Sequence, residues 1–328
     1  MFSPLQEREG IAACRDVHVA TLICTRGRHE VLRTCLQAIS RIKRPPAVRL
    51  SVVIGDNNDV PQENAISDEA RRLGLDHYYV HQGTRGYCYI RNSVLDAAER
   101  IRPDILIFID DDHLAEPDLL LAYLECFHRY DADVVHGSYI GCTRKYREGA
   151  QAYKVSTYNV AFRRRLTAPA DEGGFGLRFD LRLNLTGRED LEFFRDARQR
   201  GARMIYSGQA LTRVMTFAAE PPSVLVDYAG ARNAIHVERL RRGLPAALVL
   251  FLSLYPLKGI FSSIVVAARS ACGSAKHGVE RTRCIHRTNM DALLGGFHGL
   301  LFGGIDRTAA KEGRIVPVDP PPATTLEN

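Results

Sequence analysis

A chain of 328 residues, 45% hydrophobic and 25% charged, can bury a sizeable core, which excludes a largely disordered polypeptide. The net charge of +6 is modest for this length, and the basic residues fall in short clusters such as "FRRRL" and "ERLRRG", a pattern that suits phosphates or anionic lipid and does not point to nucleic acid. The eight cysteines are scattered without a C-x-x-C pair, so free thiols in a reducing compartment are expected and no zinc site is.

The opening segment 1–16 contains acids and no long apolar core, which argues against a secretory signal and for a cytoplasmic protein. From Val17 to about Val135 short β-rich runs alternate with longer amphipathic ones. "VHVATLIC" reads as a strand, and "HEVLRTCLQAIS" as a helix with Val31, Leu32, Cys35, Leu36 and Ile39 on one face. "VRLSVVIGD" is the next strand, "NAISDEARRLGL" a helix, "DHYYVHQ" a short strand and "GYCYIRNSVLDAAERI" a helix. "DILIFIDDD" is a strand, followed by "EPDLLLAYLECFHRY", a helix with Pro117 near its first turn. Four rounds of strand then helix predict a mostly parallel α/β sheet with helices on both faces. Beyond "ADVVHGSY" the pattern is mixed. "AYKVSTYNVAFRRRL" resembles a strand pair, "GREDLEFFRDARQRG" an amphipathic helix closed by Gly201, and "ARMIYSGQALTRVMTF" strands again.

From Leu244 to Ala268 the chain is apolar except for Lys258, and Pro256 and Gly259 divide the stretch into pieces shorter than the roughly 20 residues a spanning helix needs. Three readings stay open: a buried helical hairpin, an interfacial or re-entrant anchor whose cationic flanks sit on anionic lipid, and, least favoured, a true span. The expected organisation is an N-terminal segment 1–16, a globular unit 17–240 with halves 17–135 and 136–240, an apolar helical region 241–310, and a disordered Pro-rich tail 311–328.

In open α/β sheets ligands bind at the carboxyl ends of strands. Thr25 and Arg26 follow the first strand, Asp56 the second, and Asp110, Asp111 and Asp112 the fourth, so one cleft can collect them. Carboxylates packed this closely repel unless a cation or hydrogen-bond donors compensate. A hard divalent ion such as Mn2+ or Mg2+ does so through one or two carboxylates plus substrate phosphates. If the strand continues, Asp110 and Asp112 share a side and Asp111 points away. The plain alternative is a solvated turn before a helix. A phosphatase-type D-x-D-x-[TV] run is not matched, and "CTRGRHE" lacks the glycine-rich phosphate loop of a nucleotidyltransferase.

Taken together, "LICTRGRHEVLRTCLQAI", "VVIGDNNDV", "GTRGYCYIRNSVLDAA", "IFIDDDHLAEPDLL", and then "TYNVAFRR" with "GREDLEFFRDARQRG", resemble the ordered motifs of family 2 glycosyltransferases of the GT-A fold, in the manner of bacterial exopolysaccharide enzymes of the succinoglycan type. The match runs over roughly residues 17–215. The resemblance implies a GT-A, Rossmann-like mixed sheet flanked by helices, with the apolar helical extension behind it. It implies an inverting, metal-dependent transfer of a sugar from a nucleotide-diphosphate sugar to a hydroxyl of a glycan or lipid-linked acceptor in cell-surface polysaccharide synthesis. The enzyme would be peripheral on the cytoplasmic face of the inner membrane, against an anionic surface.

Residue by residue, the resemblance has Thr25 and Arg26 border the nucleotide, Asp56 bond the base, and Arg91 hold the diphosphate or donor sugar. Asp110 and Asp111 meet ribose or donor sugar, and Asp112, with Asp110, holds Mn2+ or Mg2+. Asp190 is the base that takes the acceptor proton, Glu189 supports it, and Asn159 and Arg188 lie on the acceptor side. Two departures stand out. Arg188 follows Gly187 where the family often has a second glycine, and "LTRVMTF" lacks the histidine that completes the metal site in many relatives. His236 is expected to be structural or exposed, and His113 to lie in a turn. The other readings kept open are a non-catalytic sugar-nucleotide-binding assembly subunit and a nucleotidyltransferase.

Overall fold

The computed structural model describes residues 16–142, 147–215 and 224–245, with positions 247, 248 and 251. The expected apolar helical region and Pro-rich tail therefore lie almost wholly outside the described residues. The chain divides into two compact units: Met1–Asp180 with Asp190–Phe217, and Leu181–Glu189 with Ala218–Asn328.

The first unit carries one sheet, in the order β3-β2-β1-β4-β7-β6-β8-β5. Its strands are β1 (Val17–Thr25), β2 (Val48–Asp56), β3 (Asp76–His81), β4 (Ile105–Ile109), β5 (His113–Ala115), β6 (Val134–Tyr139), β7 (Asn159–Arg163) and β8 (Met204–Val214). The strands β3, β2, β1 and β4 run parallel, as the sequence alternation predicts, because each is returned by a helix: α1 (His29–Ile39), α2 (Glu63–Arg72) and α3 (Tyr87–Ile101). Helix α4 (Leu119–Tyr130) follows β5, and α5 (Glu189–Gln199) precedes β8. The other half is mixed: β7 runs antiparallel to both β4 and β6, β6 parallel to β8, and β5 antiparallel to β8.

Burial explains these elements. All five residues of β4 are buried, as a central strand covered on both faces requires. On α1, Leu32, Cys35, Leu36 and Ile39 face the core at helical spacing, with Val31 partly covered. On the other side of the sheet, Phe108 of β4 and Phe162 of β7 meet Phe179, Phe193 and Phe194. Phe179 and Phe193 stack with centroids 4.5 Å apart, so α5 is fixed by aromatic packing. The five cysteines among the described residues are free thiols.

Two sequence expectations are corrected here. The segment 152–166 is one strand, not a pair: before Asn159 only an isolated bridge, Gln151 to Ile205, joins the sheet, and Arg164–Leu166 closes into a single 3-10 turn. The strand expected over 104–112 ends at Ile109. There the Asp110 amide donates to Tyr158 O at 3.2 Å and the His113 amide returns to Asp110 O at 2.9 Å, which closes a turn on the acid triplet.

In the second unit a 3-10 turn, Leu181–Leu183, is capped when Thr186 Oγ1 donates to Leu183 O at 2.8 Å. Asn233, buried on helix α6 (Val224–Arg242), donates to Thr186 O at 2.6 Å. Among the described residues no helix is long and apolar enough to cross a membrane.

Candidate functional site

Thr25 and Asp56 are register partners at the last positions of β1 and β2, and the acid turn follows β4, the other neighbour of β1. The parallel strands thus deliver a hydroxyl and four carboxylates to one end of the sheet. The turn decides how the triplet is used. Asp111 is 1% exposed and accepts from Thr25 Oγ1 at 2.7 Å and from Arg28 Nη2. Asp110 and Asp112 stay partly exposed, and Asp112 Oδ2 accepts from Arg28 Nη1 at 3.1 Å. The opposite-sides picture of a straight strand therefore does not apply: Asp111 turns inward and braces the turn, while its neighbours remain at the rim. Burial pushes the Asp111 carboxyl up to about 6, with a further push from Asp112 and Asp110, while Arg28 and the Thr25 hydroxyl pull it down. Burial alone would weaken the hold of Arg28 on its proton, but Asp111 and Asp112 reverse this and raise its pKa.

Hard divalent ions bind through one or two carboxylates and complete their shell with water or phosphate oxygens. Two partly exposed carboxylates on one turn, Asp110 and Asp112, fit that requirement for Mn2+ or Mg2+. Among the described residues no group of three His, Cys, Asp or Glu side chains could hold an ion by itself. The donor set therefore suits an ion shared with a ligand's oxygens.

The loop after β2 is laced to both neighbouring loops. Asp56, fully buried, accepts from the Asn58 amide at 2.8 Å, the Gln62 amide at 2.8 Å and the Tyr79 hydroxyl at 2.7 Å. Burial, then the bond to Asp56, pushes the Tyr79 phenol well up, so it stays a donor throughout the neutral range. Asn57 Nδ2 donates to Thr84 O at 2.8 Å, and its Oδ1 accepts from the Gly86 amide at 2.9 Å, which ties down the loop before α3. Asn58 Oδ1 accepts from the Gly27 amide at 2.7 Å, and both carboxylate oxygens of Asp59 accept from Arg26 Nη2, at 3.0 and 3.1 Å. A cavity of about 380 Å3 opens between these loops, lined by Thr25, Gly27, Arg28, Asn58, Asp59 and Gln62.

Arg91, partly buried on α3, has its guanidinium carbon 5.6 Å from the Tyr87 ring centroid and 5.5 Å from that of Phe179, a cation held between two aromatic faces. Asn159 is fully buried, and its whole amide is used internally. Oδ1 accepts from Tyr123 Oη at 2.6 Å, and Nδ2 donates to Ser138 O at 2.8 Å and Ala210 O at 2.9 Å. A Cβ on Gly137 would collide with Asn159 Nδ2, Ala210 O and Tyr123 Oη, so only glycine lets these strands close around the amide. Asn159 thus clasps β7 to β6 and β8 and presents nothing outward. His113, expected in a turn, lies in β5 instead: it is buried, its Nδ1 is 2.8 Å from Thr212 Oγ1, and its ring is 5.1 Å from that of Tyr158. Burial lowers its pKa against the pull of Asp112.

Asp190 belongs to the first unit and is partly exposed, with Oδ1 accepting from the Leu191 amide at 2.7 Å. Glu189 and Arg188 belong to the second unit, where Glu189 is buried. Arg188 has φ +76°, and Leu185 and Gly187 are also left-handed, at +63° and +74°. The arginine adopts the backbone form that a glycine would take without strain. On α6, His236 is partly buried and pushed toward its neutral form, first by burial and then by Arg239 and Arg232.

Sequence reasoning missed Arg28, Asn57 and Asn58. A usable signal existed for Arg28: it directly precedes α1, and a cation at a helix N-terminus is unfavourable unless an acid sits beside it.

Residues 21–182 match the family model described as Glycosyl transferase family 2. The chain is 28% identical over 211 residues to the succinoglycan biosynthesis protein ExoM of Rhizobium meliloti (strain 1021); the match covers 59% of this chain and 65% of that protein, a little under two thirds of the relative's length. Among solved structures, the mannosyltransferase PcManGT from Pyrobaculum calidifontis in complex with GDP-Man and Mn2+ superposes with a TM-score of 0.55 at 16% identity, over 91% of this chain and 94% of that one. S. aureus TarS 1–349 in complex with UDP-GlcNAc superposes with a TM-score of 0.53 at 14% identity, over 86% and 92%. At such identities the superpositions establish the fold alone, a GT-A-like mixed sheet flanked by helices.

Proposed function

The chain carries a family 2 glycosyltransferase domain over residues 21–182, and from that premise we propose that it transfers a sugar from a nucleotide-diphosphate sugar to a hydroxyl of a glycan or lipid-linked acceptor in polysaccharide synthesis. The observation that carries this reading is the meeting of Thr25, Asp56 and the acid turn at the carboxyl ends of three adjacent parallel strands, the position at which open α/β sheets take ligands. The nucleotide sugars named with PcManGT and TarS, and the pathway named for ExoM, agree with it.

Thr25 and Arg26 border the nucleotide, and Asp56 orders the loop against which the base lies. Arg91 offers its fork of donors to the diphosphate or donor sugar. Asp111 sets the direction of its neighbours, and Asp110 meets ribose or donor sugar. Asp112, with Asp110, would hold Mn2+ or Mg2+, and the bound ion would neutralise charge on the leaving diphosphate. Asp190 takes the proton from the acceptor hydroxyl as its oxygen attacks the anomeric carbon. The new C–O bond forms opposite the bond that breaks, the electron pair leaves with the diphosphate, and the anomeric configuration inverts. Glu189 supports Asp190, Arg188 contacts the acceptor, and Asn159 acts only by holding the sheet behind that side. The place of action is the inner membrane's cytoplasmic face, with flotation on anionic vesicles as its check.

The test is to incubate the full chain with a panel of nucleotide sugars, an acceptor-bearing membrane extract, and Mn2+ or Mg2+. Nucleoside diphosphate release with an inverted product is expected, lost in Asp112→Asn and Asp190→Asn. Release of pyrophosphate would mean nucleotidyl transfer. Donor binding without turnover would mean a non-catalytic assembly subunit.

A further inference from the structure

Arg28 pairs with the acid turn in an unusual way. Its guanidinium bridges Asp111 Oδ1 and, at 3.1 Å, Asp112 Oδ2. This is not an ordinary rim ion pair, because one partner, Asp111, is 1% exposed and fixed from its other side by Thr25. The Arg28 side chain is 45% exposed and lines the cavity between the β1–α1 and β2–α2 loops. One arm is thus anchored on a buried acid, and the other lies on a rim acid beside open space.

Resting on the glycosyltransferase reading above, we propose that Arg28 and the divalent ion are alternative partners of Asp112, so that Arg28 makes ion binding conditional on the nucleotide. A guanidinium and a dication on one carboxylate repel, and the oxygen that accepts from Arg28 is one of only two that Asp112 has. The ion therefore binds more tightly once Arg28 gives up Asp112. A diphosphate supplies what Arg28 then needs, since phosphate oxygens match its planar fork of donors and the cavity it lines has room for them. Nucleotide and ion each favour the arrangement the other requires, and such coupling is reciprocal. The protein alone binds the ion weakly, and the protein with nucleotide binds it well. Arg28 is a positioning residue in this scheme.

The test follows Mn2+ binding to the full chain by the electron paramagnetic resonance of the free ion, for wild type, Arg28→Met and Arg28→Lys, first with Mn2+ alone and then with UDP or GDP. Arg28→Met should bind Mn2+ alone about tenfold tighter than wild type, a coupling in the usual range for two linked sites. The factor by which UDP or GDP tightens Mn2+ binding should shrink about tenfold, leaving the part that the diphosphate oxygens contribute by ligating the ion directly. Arg28→Lys, a point charge that serves one carboxylate at a time, should fall between, and it keeps the test informative if Arg28→Met does not fold by circular dichroism. Mn2+ affinity unchanged or weakened in the folded variants overturns the proposal. Asp112→Asn separates the two levels: if nucleotide-dependent Mn2+ binding needs Asp112 but ignores Arg28, this inference fails alone. If wild type shows no such binding, the metal-dependent reading fails with it.

Discussion

Replacing Asn159 by alanine removes three internal hydrogen bonds at once, from Tyr123 Oη and to Ser138 O and Ala210 O, inside a fully buried clasp. A net bond contributes about 1 kcal/mol, and a buried partner left unpaired costs about 1–3 kcal/mol. Ser138 O keeps a long bond from Thr212 Oγ1 at 3.4 Å, and the group left without its acceptor is the Tyr123 hydroxyl proton. One unpaired donor and two lost bonds give an expected loss of about 3–5 kcal/mol. For a domain of this size that is a fall in Tm of roughly 6–20 °C. Thermal and urea unfolding of the full chain measure it, with the urea slope unchanged. Asn159→Asp keeps the shape but aims an oxygen at two carbonyl oxygens. An acid disfavoured in this way has a raised folded-state pKa, so its deficit should be full at neutral pH and shrink as pH falls toward about 4. An Asn159→Ala protein that melts like wild type yet no longer uses acceptor would refute the clasp and return Asn159 to the acceptor site.

Asp190→Asn should lower turnover by about 10²–10⁴-fold, the usual worth of general base catalysis, with nucleotide binding retained by calorimetry. Arg188→Gly should stabilise the fold by about 1 kcal/mol, because glycine adopts φ +76° without strain; a drop in Tm would show that the arginine side chain outweighs the backbone. Thr25→Val should weaken nucleotide binding through the turn it braces, and a variant with wild-type affinity would show that Asp111 does not need the hydroxyl. His18 has a folded-state pKa below its ordinary 6.5, from burial first and then Arg49. Its contribution is therefore full above about pH 6.5 and lost as pH falls through the folded value. His18→Gln should flatten the decline of the urea midpoint between about pH 7 and pH 5.

The parallel half of the sheet was legible because each strand there is buried on both faces and each helix shows its apolar stripe. The end of β4 was not. Alternation cannot distinguish a strand that continues through Asp110 from one that stops, and what stops it is a turn, closed when the His113 amide donates back to Asp110 O. The same limit explains "AYKVSTYNV": its alternation is strand-like, but only its first residue, Ala152, bonds an edge, at Met204 O of β8 beside the Gln151–Ile205 bridge, and the residues that follow carry the chain to β7 at Asn159. The site acids could be found from the sequence because acids at strand ends are conspicuous. Arg28 offered only its place just before α1 as a signal, and its meaning comes from which carboxylates the fold brings beside it. Asn57 and Asn58 look like ordinary turn residues, and only the loops they join reveal their work.

That lacing of three loops through the side chains of 56–59 bears on kinetics. A wall whose amides are already bonded to Asp56, Asn57 and Asn58 has no loop left to order when a nucleotide arrives and only the Arg28 side chain to move, so the encounter should not be slowed by loop closure. Discrimination among nucleotides then falls to how long each one stays, and stopped-flow traces should show similar arrival rates with widely separated residence times.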